Sequence, residues 1–469
     1  MLRANIGIKD IVVTPKVFDV ILELELRREA DRHTVLSVEG YVTEETADKI
    51  PTKWGDGQTL SLSFPSEEEG ESKTRFVGIV TEYVLEKKGH LNLLRAKAVG
   101  MSHLTDIRPR RRSFQSETMT FEELARHLLS SCEDADFLDL VSENKPFGDF
   151  LIQYSETDWE FLRRVYSRLH ARLIPDDAFG GPRIRMGPSD RIVARFEAEN
   201  RAVRRRMLDF GKRSENGLPE LIGQGSAELL IRGGEWLDLG ACCVVNGLKL
   251  YVFGATSRMD RGLLTHEYVL CDKNGYIAPR YDNPRIRGLS LFGRVADVRK
   301  DKVRVSLDVD EGNEVCGSRW FPYSTVYSTP GGSGWYCMPE VGDAVTLYMP
   351  DGDENGAYVR SSAHVESPSR TNPDTKELST RFGKRLRFTP GGIELSAGKN
   401  LHVRLMNDGG VTMNSPKRIS VRAGGNIDIT SGDQINISGE KGVNLKQADA
   451  SLSVTDDVLM TGEKILIQK

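Results

Sequence analysis

Long apolar runs are missing. Nowhere in the 469 residues do about 18 apolar positions follow one another, so no membrane-spanning helix is expected. Nor is a cleavable leader expected: the N-terminal residues 1–20 mix charged and apolar side chains every few positions, and Pro15 breaks the best apolar run. The chain is therefore expected to be made and folded in the cytosol, with any export relying on something else. Cysteines are few and unpatterned. Cys132, Cys242, Cys243, Cys271, Cys316 and Cys337 form no C-x-x-C pair and no metal-ligand spacing, which predicts reduced, small, buried side chains and no metal. Neither charge sign dominates. A net charge of -4 makes no global case for nucleic acid or an anionic membrane. The runs Arg110, Arg111, Arg112 and Arg204, Arg205, Arg206 read as solvated loop or helix faces.

Signatures of catalysis are absent as well. There is no G-x-x-x-x-G-K-[ST] loop, no H-E-x-x-H and no G-x-S-x-G. Gly223-Gln224-Gly225 lacks the third glycine of a dinucleotide fingerprint and reads as a turn. Residues 351–356, Asp-Gly-Asp-Glu-Asn-Gly, begin like a calcium loop, yet Ser362 stands where the bidentate glutamate belongs, so a hairpin turn is expected. His266 and His364 are expected to satisfy local hydrogen bonds. Asp308 and Asp310 have the makings of a glycosidase pair, but beside Gly312 they read as solvated loop carboxylates. No catalytic residue, cofactor or metal is expected.

What is present is a series of strands whose period changes once. In residues 19–26, Val20, Leu22, Leu24 and Leu26 alternate with Ile21, Glu23 and Glu25, and Leu60, Leu62 and Phe64 alternate with Ser61 and Ser63. Residues 75–85 and 91–99 add further strands. Thr120 and Glu123 then form a capping box, opening a helix with Phe121, Leu124, Leu128 and Leu129 at helical spacing. A second box is read at Ser155 and Asp158. Its helix sets Trp159, Leu162, Val165, Tyr166 and Leu169 on one face and Arg163, Arg164 and Arg168 largely off it, with Pro175 at its end. Strand-like segments resume over residues 183–270. This order predicts a mainly β head, residues 1–280, of two barrel-like lobes with helices inserted at about 118–175. Residues 281–365 are short strands between turn signals, as in an OB-fold barrel, and a polar linker at 366–377 carries Pro368 and Pro373.

The last segment, 378–469, holds a repeat. The pairs Val411/Met413, Ile419/Val421, Ile427/Ile429, Ile435/Ile437 and Val443/Leu445 start eight residues apart, and less regular pairs flank them, among them Leu386/Phe388 and Val458/Met460. A spacing of two places both side chains on one face of a strand, and eight leaves room for one tight turn. Two apolar side chains per unit, worth about 1.5–3 kcal/mol each when buried, do not offset about 1–2 kcal/mol of backbone entropy for every ordered residue. The units must therefore stack. Either three chains wrap one axis as a β-prism or β-helix needle, with these ten residues as its core and strands pairing across chains, or one chain coils with three octads per turn. The trimer is favoured because the end of the chain looks like one more strand and not a cap.

Three segments resemble a known family. Arg111-Arg112-Ser113-Phe114-Gln115 is similar to its R-x-S-x-x-F-Q element, shortened here, and residues 153–163, from Gln153-Tyr154-Ser155-Glu156-Thr157-Asp158 to Trp159, Phe161 and Arg163, resemble its Q-Y-x-E-T-D-x-x-F segment. Val303, Val305, Trp320, Gly332-Ser333-Gly334-Trp335 and residues 338–343 resemble its OB module, and the octads follow in order. The family is the VgrG-type (valine-glycine repeat) spike of type VI secretion and related contractile injection systems, similar in plan to the fused hub and spike of phage baseplates. The resemblance implies a homotrimer whose six lobes match a hexameric inner-tube ring, within a baseplate and with effector cargo, delivered outside the cell with the particle. It implies a non-enzymatic, membrane-puncturing role without nucleic acid. The last histidine, His402, precedes the octads, so no self-made metal tip is expected. A PAAR-type tip protein would instead dock on Ile465, Leu466, Ile467, Gln468 and Lys469. Two other readings stay open: a trimeric β-solenoid that binds or degrades glycans, for which the absence of Trp and Tyr after Tyr358 is unfavourable, and a phage hub acting only in assembly.

Overall fold

Leu60, Leu62 and Phe64 are fully buried, as period 2 demands of a strand with one face on a core. Around them lie Val12–Thr14, Thr59–Pro65, Ser72–Lys88, Leu91–Gly100, Val35–Val42 and Val20–Glu29, side by side in that order. The computed structural model describes residues 6–65, 72–198, 201–205, 227–310, 318–360 and 370–466. Two compact units make up the chain, Met1–Val365 and Glu366–Lys469.

The first lobe departs from its sequence pattern twice. A register shift between Ile21 and Glu23 interrupts strand Val20–Glu29. Beyond this bulge the faces exchange, so Val20 and Leu22 are 48% and 41% exposed while Leu24, Leu26 and part of Ile21 pack inward. The expectation of four leucine and valine side chains on one face holds only for Leu24 and Leu26. Helix α1 (Glu44–Lys53), which the sequence pattern did not announce, starts at a Thr43 cap and buries Ala47 and Ile50 against Val42 and Leu94. Two apolar contacts make no visible period, and Pro51, which cannot donate to the preceding turn, argues locally against a helix.

The second lobe continues the same sheet. Strand Val20–Glu29 pairs antiparallel with Leu248–Asp260, from Gly254 opposite Glu29 to Arg258 opposite Glu25. Leu263–Cys271, Ala227–Gly233 and Arg201–Arg205 follow, giving 12 strands with the side pair Ile192–Phe196 and Cys242–Val245. The lobes thus keep separate cores, the second built on Tyr251, Val252, Tyr268 and Leu270, while sharing one hydrogen-bonded sheet. Cys242, Cys243 and Cys271 are buried in that second core. Cys132 is half-buried and Cys337 exposed, so burial of all the cysteines was too broad an expectation, and Cys316 lies outside the described residues. Arg204 sits on a strand and pairs with Glu228 at 2.6 Å, not on a solvated loop or helix. Arg206 and residues 223–225 lie outside the described residues.

Helices α2 (Phe121–Leu129) and α3 (Asp158–Ser167) share a core with Phe114, Phe147, Leu173 and Met186. The Thr120/Glu123 capping box forms as expected. The second box is instead Thr157 with Glu160. Ser155 has a φ of 51° at the end of its strand, and its helix ends at Ser167, well before Pro175, which belongs to strand Leu173–Pro175. In the following barrel, Phe321–Pro322, Lys302–Leu307, Ser290–Arg299, Ala344–Tyr348 and Tyr358–Arg360 are neighbours in that order. A parallel bridge from Tyr323 to Val359 ties its two ends together.

In the unit Glu366–Lys469, strands Lys376–Ser379, Lys384–Thr389, Gly392–Ala397, His402–Met406 and Gly410–Asn414 form an antiparallel meander. A second meander joins Val443–Gln447, Ala450–Val454 and Val458–Thr461. Backbone pairing in both meanders runs between successive strands of the same chain. Register stacks the apolar pairs: Phe388 opposite Ile393, Ile393 opposite Leu405, Leu405 opposite Val411, and Val403 opposite Met413. The alternate positions are charged or polar, and Arg387 bonds Glu377 at 2.7 Å while Arg404 lies 3.6 Å from Glu394. Residues 415–442 carry no strand. Val411, Met413, Ile419, Val421, Ile427, Ile429, Ile435, Ile437 and Leu445 are 52–71% exposed, and Val443 is half-buried.

Candidate functional site at the junction of hub and neck

The two hub segments singled out by sequence are hydrogen-bonded partners. Strand Arg110–Phe114 runs antiparallel to Leu151–Glu156, with Arg112 opposite Gln153 and Ser113 opposite Ile152. Gln153 has its side chain amide split between neighbours. Its oxygen accepts from Arg112 Nε at 2.9 Å, and its nitrogen donates to Glu156 O at 2.9 Å and Asp158 Oδ1 at 3.0 Å. Arg112 also bonds Asp158, and Arg110 lies 3.4 Å from the same carboxylate. The arginine run is thus a strand that neutralises the first turn of α3, where negative charge suits the helix dipole. Arg111 is exposed, as expected of a solvated run, whereas Arg110 and Arg112 are half-buried against Asp158.

From this pair the structure reaches the neck through buried charges. Arg164, expected off the buried face, is buried, with Glu156 on its Nε–Nη2 edge at 2.7 and 2.9 Å and Ile152 O at 2.7 Å. Its remaining nitrogen donates to Glu354 Oε1 at 2.6 Å, and Arg168 donates to Glu354 Oε2 at 2.6 Å. Burial works against the Arg164 charge, and the carboxylates Glu156 and Glu354 more than offset it, so the guanidinium stays charged. Glu354 belongs to the turn that begins like a calcium loop. The turn is there, but its glutamate is 1% exposed and faces two arginines.

A second carboxylate behaves the same way. Asp310, expected in solvent, is buried and accepts the backbone N–H of Ser113 at 2.5 Å and the Ser113 hydroxyl. Burial pushes its pKa up, and the two Ser113 bonds act against that rise. Gln115 donates to Val305 O at 3.2 Å. Phe150 and Ile152 complete the neck core, Phe150 meeting Phe321 edge-on at 5.1 Å. The first lobe is fastened to the same helix: Trp159 lies 4.3 Å from the His33 ring, and Thr157 donates to Asp106. Both His33 nitrogens are engaged, by Ser102 at 2.9 Å and Asp106 at 3.1 Å. The nearby group His33, His103 and Asp106 is therefore read as a packing cluster.

Chemically this arrangement can do one thing: transmit position. It fixes hub strands, helix α3 and neck barrel in one register through charge-assisted hydrogen bonds. Sequence reasoning found the α3 segment but missed Glu354 and Asp310, whose partners stand 190 and 197 positions away. Of the other expected site residues, the needle residues lie on open faces. Ile465 and Leu466 are exposed, and Ile467, Gln468 and Lys469 lie outside the described residues.

Residues 41–168 match the phage tail baseplate hub (GPD) family, and residues 291–364 match the type VI secretion system/phage-baseplate injector OB domain. No curated protein matches the chain. Two of the solved structures similar in fold are these. One is the E. coli c3393 protein, described as a type VI secretion component with structural similarity to the T4 tail proteins gp27 and gp5. It is 13% identical with a TM-score of 0.52, over 74% of this chain and 98% of its own. The other is the half-lidded Francisella PdpA–VgrG complex, 8% identical with a TM-score of 0.52, over 84% of this chain and 83% of that one. A segment matching the baseplate hub family is thus followed by one matching the injector OB domain, the two built into one junction, and in this order the chain is similar to the fused hub-and-spike proteins of phage baseplates and type VI secretion.

Proposed function

We propose that this hub-and-spike protein works as a homotrimer at the tip of a contractile injection system, puncturing a membrane by shape and stiffness and not by catalysis. Residues 1–280 would dock six lobes onto the hexameric inner tube, 281–365 would form the neck, 366–377 a linker and 378–469 the needle. The exposed end at Ile465 and Leu466 is where a PAAR-type tip protein or an effector would sit. Delivery outside the cell would follow from being carried by the particle, and no described helix is long and apolar enough to cross a membrane.

The observation that carries this reading is the one-sided sheet of the C-terminal unit. Phe388, Ile393, Leu395, Leu405, Val411 and Met413 cover one face and are left 38–66% exposed by their own chain. Exposed apolar area of this extent marks an interaction surface. In the two meanders the backbone ladder closes within the chain, so there sister chains would share faces around an axis, while residues 415–442 would find their partners in the trimer. Light scattering of the full chain against a version ending at Val365 tests it. The full chain should run as a trimer and the shortened one should lose or weaken that state. A full chain that stays monomeric at micromolar concentration rules the needle out.

A further inference from the structure

A cleft of about 130 Å³ lies where strands Val20–Glu29, Ser72–Lys88 and Leu173–Pro175 meet the loop at residues 236–239. Arg28 lines it and is 7% exposed. Its guanidinium carbon rests 3.5 Å from the Trp236 ring centre, and that of Arg75 lies 5.3 Å from the same ring. Stacking against the indole fixes the two cations in place. Yet Arg28 Nε and Nη2, and Arg75 Nε, have no acceptor among the described residues. Nε and Nη2 are not two arbitrary donors. They share one edge of the guanidinium, the edge that holds two oxygens of a carboxylate or phosphate in parallel.

The surroundings suit a negative guest. Burial weakens the charge of Arg28, and Tyr268 and Asp238 only partly offset it, so a further anion is electrostatically wanted. Lys73 and Arg185 also line the cleft. Of the acids there, Asp238 is engaged by the Trp236 indole N–H at 2.6 Å, while burial pushes Asp176 and Asp177 toward their neutral forms. The cleft, at about 130 Å³, has room for a small oxyanion. We propose that it is a binding site for a small oxyanion, gripped by the free edge of Arg28 with Arg75 beside it. The site stands whether or not the chain acts as a spike.

Inorganic phosphate and succinate, each titrated into the full chain by calorimetry against chloride at matched ionic strength, provide the test and separate the two guest chemistries. At least one should bind saturably, with one site per chain and a higher melting temperature. Arg28→Lys keeps the charge and removes the two-donor edge, so affinity should fall at least tenfold. Arg75→Gln, at a half-buried position, should weaken binding several-fold and serves if Arg28→Lys does not fold. Binding of neither anion overturns the proposal. So does unchanged affinity in Arg28→Lys or, where that variant fails to fold, in Arg75→Gln.

Discussion

Glu354→Ala isolates the charge that fastens neck to hub. The wild-type carboxylate accepts two bonds of 2.6 Å, one from Arg164 and one from Arg168, with almost no solvent access. Hydrogen bonds to charged groups contribute about 1.5–3 kcal/mol each, so the pair stands for about 3–6 kcal/mol. Breaking a buried ion pair by removing one partner costs about 3–5 kcal/mol. Arg164 keeps Glu156, which softens the loss, and Arg168 keeps a bond to half-exposed Asp149 at 3.2 Å. The expected cost is therefore at the lower end, about 3 kcal/mol. Differential scanning calorimetry of the full chain should show the neck melting apart from the hub, as a new transition below the main one. Replacing both members, Arg164→Met with Glu354→Met, should cost less than the sum of the single changes, since the Arg164–Glu354 contact is then lost once and not twice, while Glu156 loses its partner in the double variant as in Arg164→Met alone. A Glu354→Ala protein with one unchanged transition and a loss under about 1 kcal/mol would refute the assignment of the junction to these charges.

Two further outcomes follow from buried groups. Burial raises Asp177 to about 6 and lowers His266 to about 3, the latter helped by Arg28 and Arg75. A raised acid contributes stability that is present below its ordinary pKa and lost as pH rises through about 6, whereas a depressed histidine contributes stability present above about 6.5 and lost as pH falls. The two slopes oppose each other between pH 4 and 6, at about 1.4 kcal/mol per pH unit each. Asp177→Asn removes one of them, so urea midpoints measured across that window should rise with pH more steeply than in the wild type. A flatter profile in the variant contradicts these signs. In the neck, a Cβ on Gly293 would stand 2.4 Å from Ser306 O and 2.8 Å from Val305 Cγ1. Because the nearer neighbour is backbone, Gly293→Ala should destabilise by about 1–3 kcal/mol, read as a lower melting temperature; an unchanged value means the strands can part more easily than their ladder suggests.

Much of the fold was legible because it is periodic. Leu60, Leu62 and Phe64 and the Thr120 cap each announce themselves within a few residues, whereas the octads between 415 and 442 carry no strand in the single chain. Errors arose where two local patterns fitted equally. Ser155 with Asp158 and Thr157 with Glu160 both have capping spacing, and only the left-handed backbone at Ser155 decides between them. The bulge at Leu22 is another such case, since a register shift leaves no mark on the apolar alternation. The junction was not legible at all. Asp310 and Glu354 stand in turn-rich, acidic stretches that look solvated, and what buries them is a surface built almost 200 positions earlier. No local signal encodes that.

Phe150 and Ile152 belong to the hub by sequence and to the neck by packing. An exchange of neck barrels between relatives, cut at residue 281 where the sequence changes character, would strand both side chains in water and leave Phe321 facing a foreign neighbour. The transferable piece is larger: it has to bring the two-stranded ribbon and the helix that follows it. Recombination within such proteins should therefore favour crossovers in front of residue 110 or beyond 360, and chimeras joined between those points should express poorly.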